Sequence, residues 1–337
     1  MTLITYPTRV HFADGVLQEA LHSELEHAAC KAPLLIHDDM LHDSELSDRI
    51  LEGLPHAMNP TSLTFDARSD LREVISSHMR YADLPDVIIA FGSARAIELS
   101  RKCRYALREK TGQRALLYAV PGVDGMPGPC TRNLESWRSG LPSVLICDPT
   151  VTLNAAPAQS WRSAVLSLVR CVESYLADTY NPPADGMALD GLGRCVVNLP
   201  RIDEDHGLSL HREVMAACLN AAWSQEKGVG PALTLVAALI ADHNHLNEAE
   251  LARLILPEMI RRAKVHGEKS DMLLKVFGEP ASTLDAAVAH VLDPLPMPTN
   301  LSELGLRPDD LDRAADTAAG KAGLDFANAR TVLETIF

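Results

Sequence analysis

Aromatic residues are scarce, at 4% of 337 residues, and only three tryptophans occur. Basic residues are also in deficit. The chain carries 31 Lys and Arg against 45 Asp and Glu, a formal charge of −14. Nucleic acids and anionic membranes both need a basic footprint, so this balance argues against either as a partner. Seven cysteines are present, scattered and never in a Cys-x-x-Cys pair. An odd set without that spacing argues against a disulfide scaffold or a zinc finger. It reads as reduced, mostly buried thiols in a cytoplasmic protein. The longest strongly apolar stretch, Ala232 to Ala241, falls well short of the roughly 20 residues that cross a bilayer. The opening MTLITYPTRVHF lacks the charged start and apolar run of a signal peptide. No internal repeat, Gly-x-Ser-x-Gly elbow, Walker A loop or His-Glu-x-x-His motif is found.

What remains is a globular composition. Hydrophobic residues make up 47% and charged residues 23%, and the length suits two ordinary domains. Ala and Leu carry much of the apolar content, which leans helical because both lose little rotamer freedom in a helix. The first half alternates two periods. Strands are predicted at Pro33–Asp38, Ser62–Phe65, Asp86–Ala90, Ala115–Val120 and Val144–Cys147, with a helix from Ala94 to Tyr105. This alternation implies a doubly wound α/β domain with a mostly parallel, buried sheet. After about Pro157 only helical periodicity is seen: Ser160–Leu176, Met187–Val197, His211–Ser224, Pro231–Ile240, Ala249–Val265, Ser282–Val291 and Pro308–Ala319. The boundary is expected near 153, with an α/β domain over 1–153 and an all-α domain over 154–337. The Gly- and Pro-rich stretch Pro121–Leu141 is predicted to be a long irregular connection.

Several segments carry chemistry. Ala90-Phe91-Gly92-Ser93-Ala94 lies between a strand and a helix, where free backbone N–H groups bind phosphate. It holds one glycine, and Phe91 adds bulk, so without a full Gly-rich fingerprint the plainer reading is an ordinary strand–helix turn. Asp242-His243-Asn244-His245-Leu246-Asn247-Glu248 is the densest polar cluster. Its imidazoles and carboxylates suit a divalent metal, and an exposed loop would contain the same residues. Arg170 and Glu173 share a helix face and would make a surface ion pair unless Arg170 faces a cleft. The acidic run Asp203–Gly207 reads as a solvated loop.

Taken in order, seven landmarks resemble the iron-containing alcohol dehydrogenase superfamily, nearest the maleylacetate reductase branch. Thr8–Gly15 is similar to the family's opening strand and turn. Asp86–Ser93 resembles the strand into its Gly-Gly-Gly-Ser phosphate loop, and Val120-Pro121 the start of its Ile-Pro-Thr-Thr segment. Leu141–Thr152 resembles the strand and Asp-Pro-x-Leu-Thr motif between domains. Glu173-Ser174-Tyr175 with Asn181-Pro182, Leu254–Pro257 and Leu304–Leu311 complete the series.

The resemblance implies a Rossmann-like α/β domain that binds NAD or NADP, a helical domain, and a small-molecule substrate in the cleft between them. It also suggests a homodimer. Gly92, Ser93, Pro121 and Gly122 then fall at the cofactor, although two loop glycines are replaced by Ala90 and Phe91, and the Thr-Thr pair by Gly122-Val123. Most members hold a divalent metal with one Asp and three His. Those positions fall on Leu166, Arg170, Thr234 and Glu248, none of which keeps its ligand. The family metal site is therefore expected to be absent, unless His243 or His245 moves in.

The resulting expectation is a metal-independent NAD(P)-linked oxidoreductase acting on a carbonyl or hydroxyl substrate. His243 or His245 would donate the proton and Arg170 would clamp an anion, or pair with Glu248 as a buried structural link. The alternatives are a degenerate, non-catalytic member serving as a binding or partner subunit, a lyase-type reaction in the same cleft, or a metal relocated to His243 and His245.

Overall fold

Short β-branched and leucine-rich runs build the sheet, and their positions decide where the site lies. In the computed structural model, residues 8–66, 73–75, 84–112, 114–122, 141–243, 245–278 and 281–337 are described. Six strands form one parallel sheet: β1 (Arg9–Phe12), β2 (Pro33–Asp38), β3 (Thr61–Phe65), β4 (Val87–Gly92), β5 (Leu116–Pro121) and β6 (Val144–Cys147). Their order is β1-β6-β5-β4-β2-β3. The five predicted strands are present, along with the opening strand implied by the resemblance. β4 runs two residues beyond Ala90, which puts Gly92 opposite Pro121 in the ladder.

Successive side chains of a strand point to opposite faces. Ile88 and Ala90 accordingly join the core under helix α3 (Ala94–Thr111), while Val87, Ile89 and Phe91 join the core under α1 (Leu17–His27) and α2 (Glu45–Glu52). Ser44 and Ser93 cap α2 and α3, each accepting a first-turn N–H. α3 extends beyond the predicted Tyr105 because nothing stops it until Gly112, at φ +74°, in the left-handed region where glycine is unstrained. The predicted long connection after Pro121 lies almost wholly outside the described residues.

From Pro157 onward the described structure is helical: α4 (Pro157–Leu176), α5 (Pro182–Asn198), α6 (Leu208–Ser224), α7 (Pro231–Asp242), α8 (Glu248–Ala263), α9 (Glu268–Phe277), α10 (Leu284–Leu292), α11 (Pro308–Ala318) and α12 (Phe326–Thr335). Proline opens α4, α5, α7 and α11, where its missing N–H costs nothing. The periodicity missed α1, α2, α9 and α12, short helices whose apolar stripes are brief. α4 packs against α5, α6, α7 and α8, so its faces reach most of the helical half. No helix among the described residues is long and apolar enough to cross a membrane.

Candidate active site

One group of candidate residues lies where β4 and β5 end side by side. Gly92 pairs with Pro121, and the Gly122 N–H donates to the Gly92 carbonyl at 2.8 Å. Gly92 sits at φ +99°. A Cβ there would come within 2.5 Å of Leu41 Cδ1, so this position requires glycine. Ser93 then opens α3. Asp38, the last residue of β2, accepts the Ser93 N–H at 3.1 Å and the Ser93 hydroxyl at 2.8 Å.

The four predicted cofactor residues Gly92, Ser93, Pro121 and Gly122 therefore come together at the C-terminal edge of a parallel sheet, the usual position for a ligand in such folds. Asp38 and Leu41 belong to the same corner, and sequence reasoning missed them. The available signal was a carboxylate closing the second strand. The expected obstruction by Phe91 is corrected: its ring is fully buried on the opposite face, stacked on His37 with centroids 4.6 Å apart.

A second group of candidate residues lies on the helices. Arg170 and Glu173 do not form the surface pair that their spacing suggested. Glu173 is buried, and its carboxylate accepts the N–H groups of Ala232 at 2.6 Å and Leu233 at 3.2 Å, in the first turn of α7. Burial pushes this carboxyl up to about 7, and the N–H donors of Ala232, Leu233 and Gly230 pull the other way. A Cβ on Gly230 would lie 2.4 Å from Glu173 Cδ, so the approach requires a glycine.

Arg170 instead faces Glu248, in the first turn of α8, with NH2 3.8 Å from Oε2. Thr234 is buried and returns its hydroxyl to the Gly230 carbonyl at 2.8 Å. Leu166 is half-buried and packs on the core. One carboxylate, one committed hydroxyl, one apolar chain and a guanidinium do not make a donor set for a divalent cation. Among the described residues no group of three or more His, Cys, Asp or Glu has the arrangement to hold a metal.

His243 follows α7 and His245 lies edge-on beside it, their ring centroids 6.0 Å apart. His243 Nε2 lies 3.1 Å from Asp310 Oδ1, off the line of a good hydrogen bond. Asp310 is held in turn by the Arg307 N–H at 2.7 Å and by Arg313. Burial opposes charge on Asp310, but the Arg307 N–H, His243 and Arg313 outweigh it and keep its carboxyl below the usual range. Asp310 was another residue that spacing could not find, being 67 positions from His243 (310 − 243).

Comparison with known proteins bears on the fold. No family model matches the chain. A 4-hydroxybutyrate dehydrogenase of Cupriavidus necator is 25% identical over 355 aligned positions, covering 93% of this chain and 92% of the relative. Among solved structures, an alcohol dehydrogenase from Oenococcus oeni superposes with a TM-score of 0.84 at 17% identity, over 98% of each chain. A maleylacetate reductase from Agrobacterium tumefaciens gives 0.78 at 18%, over 100% of this chain and 97% of that one. A sulfoacetaldehyde reductase from Bifidobacterium kashiwanohense, solved with NAD+, gives 0.83 at 14%, over 100% and 99%. At these identities the solved structures establish the shared fold, a parallel-sheet domain followed by a helical one. The curated relative matched over nearly its whole length and the shared fold agree with the resemblance of the ordered landmarks to the iron-containing alcohol dehydrogenase superfamily.

Proposed function

We propose that the protein is an NAD-linked oxidoreductase that interconverts a carbonyl and an alcohol without a metal, on a small substrate held between the α/β and helical parts. The observation that carries this reading is the corner of Gly92, Ser93, Pro121, Gly122 and Asp38. Gly92 and Gly122 let the ends of β4 and β5 close on each other and on Leu41, which brings the strand ends up to the first turn of α3. The first turn of α3 offers N–H groups and the positive end of its dipole to the diphosphate of NAD. Asp38 retains acceptor capacity for ribose hydroxyls, and its charge repels a 2′-phosphate, so NAD is favoured over NADP. When bound, the nicotinamide supplies a hydride to the carbonyl carbon or receives it from the alcohol.

The remaining work belongs to side chains. His243, oriented by Asp310 and flanked by His245, gives a proton to the substrate oxygen as it gains charge, and takes it back in the reverse direction. Arg170 supplies fixed positive charge for an anionic group of the substrate. The residues at the family's ligand positions Leu166, Arg170, Thr234 and Glu248 support metal independence, because Leu166 offers no donor atom and Arg170 brings a positive charge of its own.

The test is a hydride-transfer assay with NADH and NADPH over a panel of short aldehydes and oxo acids, with and without EDTA. The expected result is NADH consumption unaffected by EDTA, a preference over NADPH of about tenfold or more, and a shift toward NADPH in Asp38→Ser. Loss of activity with EDTA, restored by a divalent ion, would refute metal independence. A purified protein that binds neither nucleotide would favour a non-catalytic partner subunit.

A further inference from the structure

Arginine side chains buried in a protein almost always have their donors filled, and Arg253 shows how this chain does it. That side chain is 4% exposed and donates to the carbonyls of Leu292 at 3.0 Å, Met297 at 3.1 Å, Asp293 at 3.2 Å and Pro298. Arg170 is treated differently. Its side chain is 11% exposed, and its Nε is buried with no hydrogen-bond partner among the described residues. The nearest carboxylate, Glu248, stops at 3.8 Å, beyond hydrogen-bond reach.

A second pair on the same two helices provides an internal control. Arg162 lies eight residues earlier on α4, close to the same face, and meets Glu250 in the first turn of α8. That pair is closed, with Nε 3.0 Å and NH2 2.5 Å from Oε1. The helix spacing therefore allows a closed Arg–Glu pair, and Arg170 and Glu248 do not make one. An unfilled buried Nε–H is costly, and its retention is explained if a ligand fills it. The Nε and NH2 edge of a guanidinium presents two parallel N–H bonds, which match the two oxygens of a carboxylate.

We infer that the Nε–NH2 edge of Arg170 is a carboxylate-binding fork for the substrate, with Glu248 as a built-in competitor that the substrate displaces. The substrate class is then a short oxo acid or hydroxy acid. This deepens the proposed function and rests on it for the word substrate. The fork itself is a binding property that needs neither nucleotide nor hydride transfer.

Isothermal titration of the purified chain with sodium butyrate and sodium succinate at constant ionic strength tests it. Saturable binding is expected in the wild type. Arg170→Gln should weaken it about ten- to hundredfold, the worth of charge-assisted hydrogen bonds. Glu248→Gln should tighten it severalfold while leaving the urea unfolding midpoint near the wild-type value. Should Arg170→Gln fail to fold, the tightening in Glu248→Gln decides alone. Absence of carboxylate binding in both wild type and Glu248→Gln would overturn the inference. So would binding indifferent to these changes, or a Glu248→Gln protein that is destabilised and binds no tighter, which marks a structural ion pair. Carboxylate binding without NADH binding would keep the fork and refute the oxidoreductase reading. NADH turnover without an effect of Arg170 on carboxylate binding would do the reverse.

Discussion

Asp148→Ala is expected to cost the folded protein about 3–5 kcal/mol, the loss typical when one member of a buried, hydrogen-bonded charge pair is removed. Asp148 is fully buried at the point where the sheet hands over to the helices. Its carboxylate accepts the N–H groups of Gly15 at 2.8 Å, Leu17 at 3.1 Å and Thr150 at 3.0 Å, and the Thr150 hydroxyl at 2.6 Å. Arg49 of α2 closes the set at 2.8 Å. One side chain thus ties the β1–α1 turn, α2, β6 and the segment after it. Burial alone would raise the carboxyl, but Thr150 and the Gly15 and Leu17 N–H groups outweigh that and hold it below the ordinary range. Its charge therefore contributes stability that is present above the ordinary carboxylate range and is lost as pH falls through the lowered value. Urea unfolding of the wild type and Asp148→Ala measures the loss. A difference under about 1 kcal/mol would mean that Arg49 is solvated after all, as in an exposed pair.

Glu173 should show the opposite pH behaviour. Its carboxyl is raised from 4.5 to about 7 in the folded chain. Between those values the folded state holds a proton that the unfolded state has lost, so this group's contribution falls as pH rises from 4.5 to 7. The span corresponds to about 3 kcal/mol at 1.36 kcal/mol per unit. Glu173→Gln has no such proton to lose. The stability of wild type minus that of Glu173→Gln, measured by urea unfolding from pH 4.5 to 8, is therefore expected to drop with pH. A flat or rising difference would mean that the α7 N–H groups and helix dipole stabilise the anion more than burial opposes it.

The fold was legible in the sequence because its signals are local. Leu34, Leu35 and Ile36, or Val87, Ile88 and Ile89, form apolar runs that only a sheet covered on both faces can bury. Helices beginning with Pro231 or Pro308 announce themselves by the proline and the apolar period, and the helix read from Ser160 starts three residues earlier, at Pro157. The site was legible only in part. Gly92, Ser93, Pro121 and Gly122 could be found because each ends or follows a strand. Phe91 reads as bulk in a loop, but it belongs to the end of β4, where alternation sends the ring to the opposite face. Glu173 gave no local sign of its role. Its partners Ala232 and Leu233 lie on another helix, and its neighbour Arg170 suggested a pair that the packing does not make. Asp38, Asp310 and the unfilled edge of Arg170 likewise depend on contacts between distant segments, which spacing cannot show. The landmark resemblance carried the chain order of these elements.

The proposed chemistry requires the Gly92–Ser93 corner to hold a nicotinamide nucleotide, and a fluorescence titration with NADH tests that most directly. The wild type is expected to saturate at micromolar NADH, with weaker binding of NADPH. Gly92→Val should abolish saturation while far-ultraviolet circular dichroism shows the helices intact, because the added side chain collides with Leu41 and forces a left-handed φ on a branched residue. No binding by the wild type at millimolar NADH, or equal binding by Gly92→Val, would contradict the account.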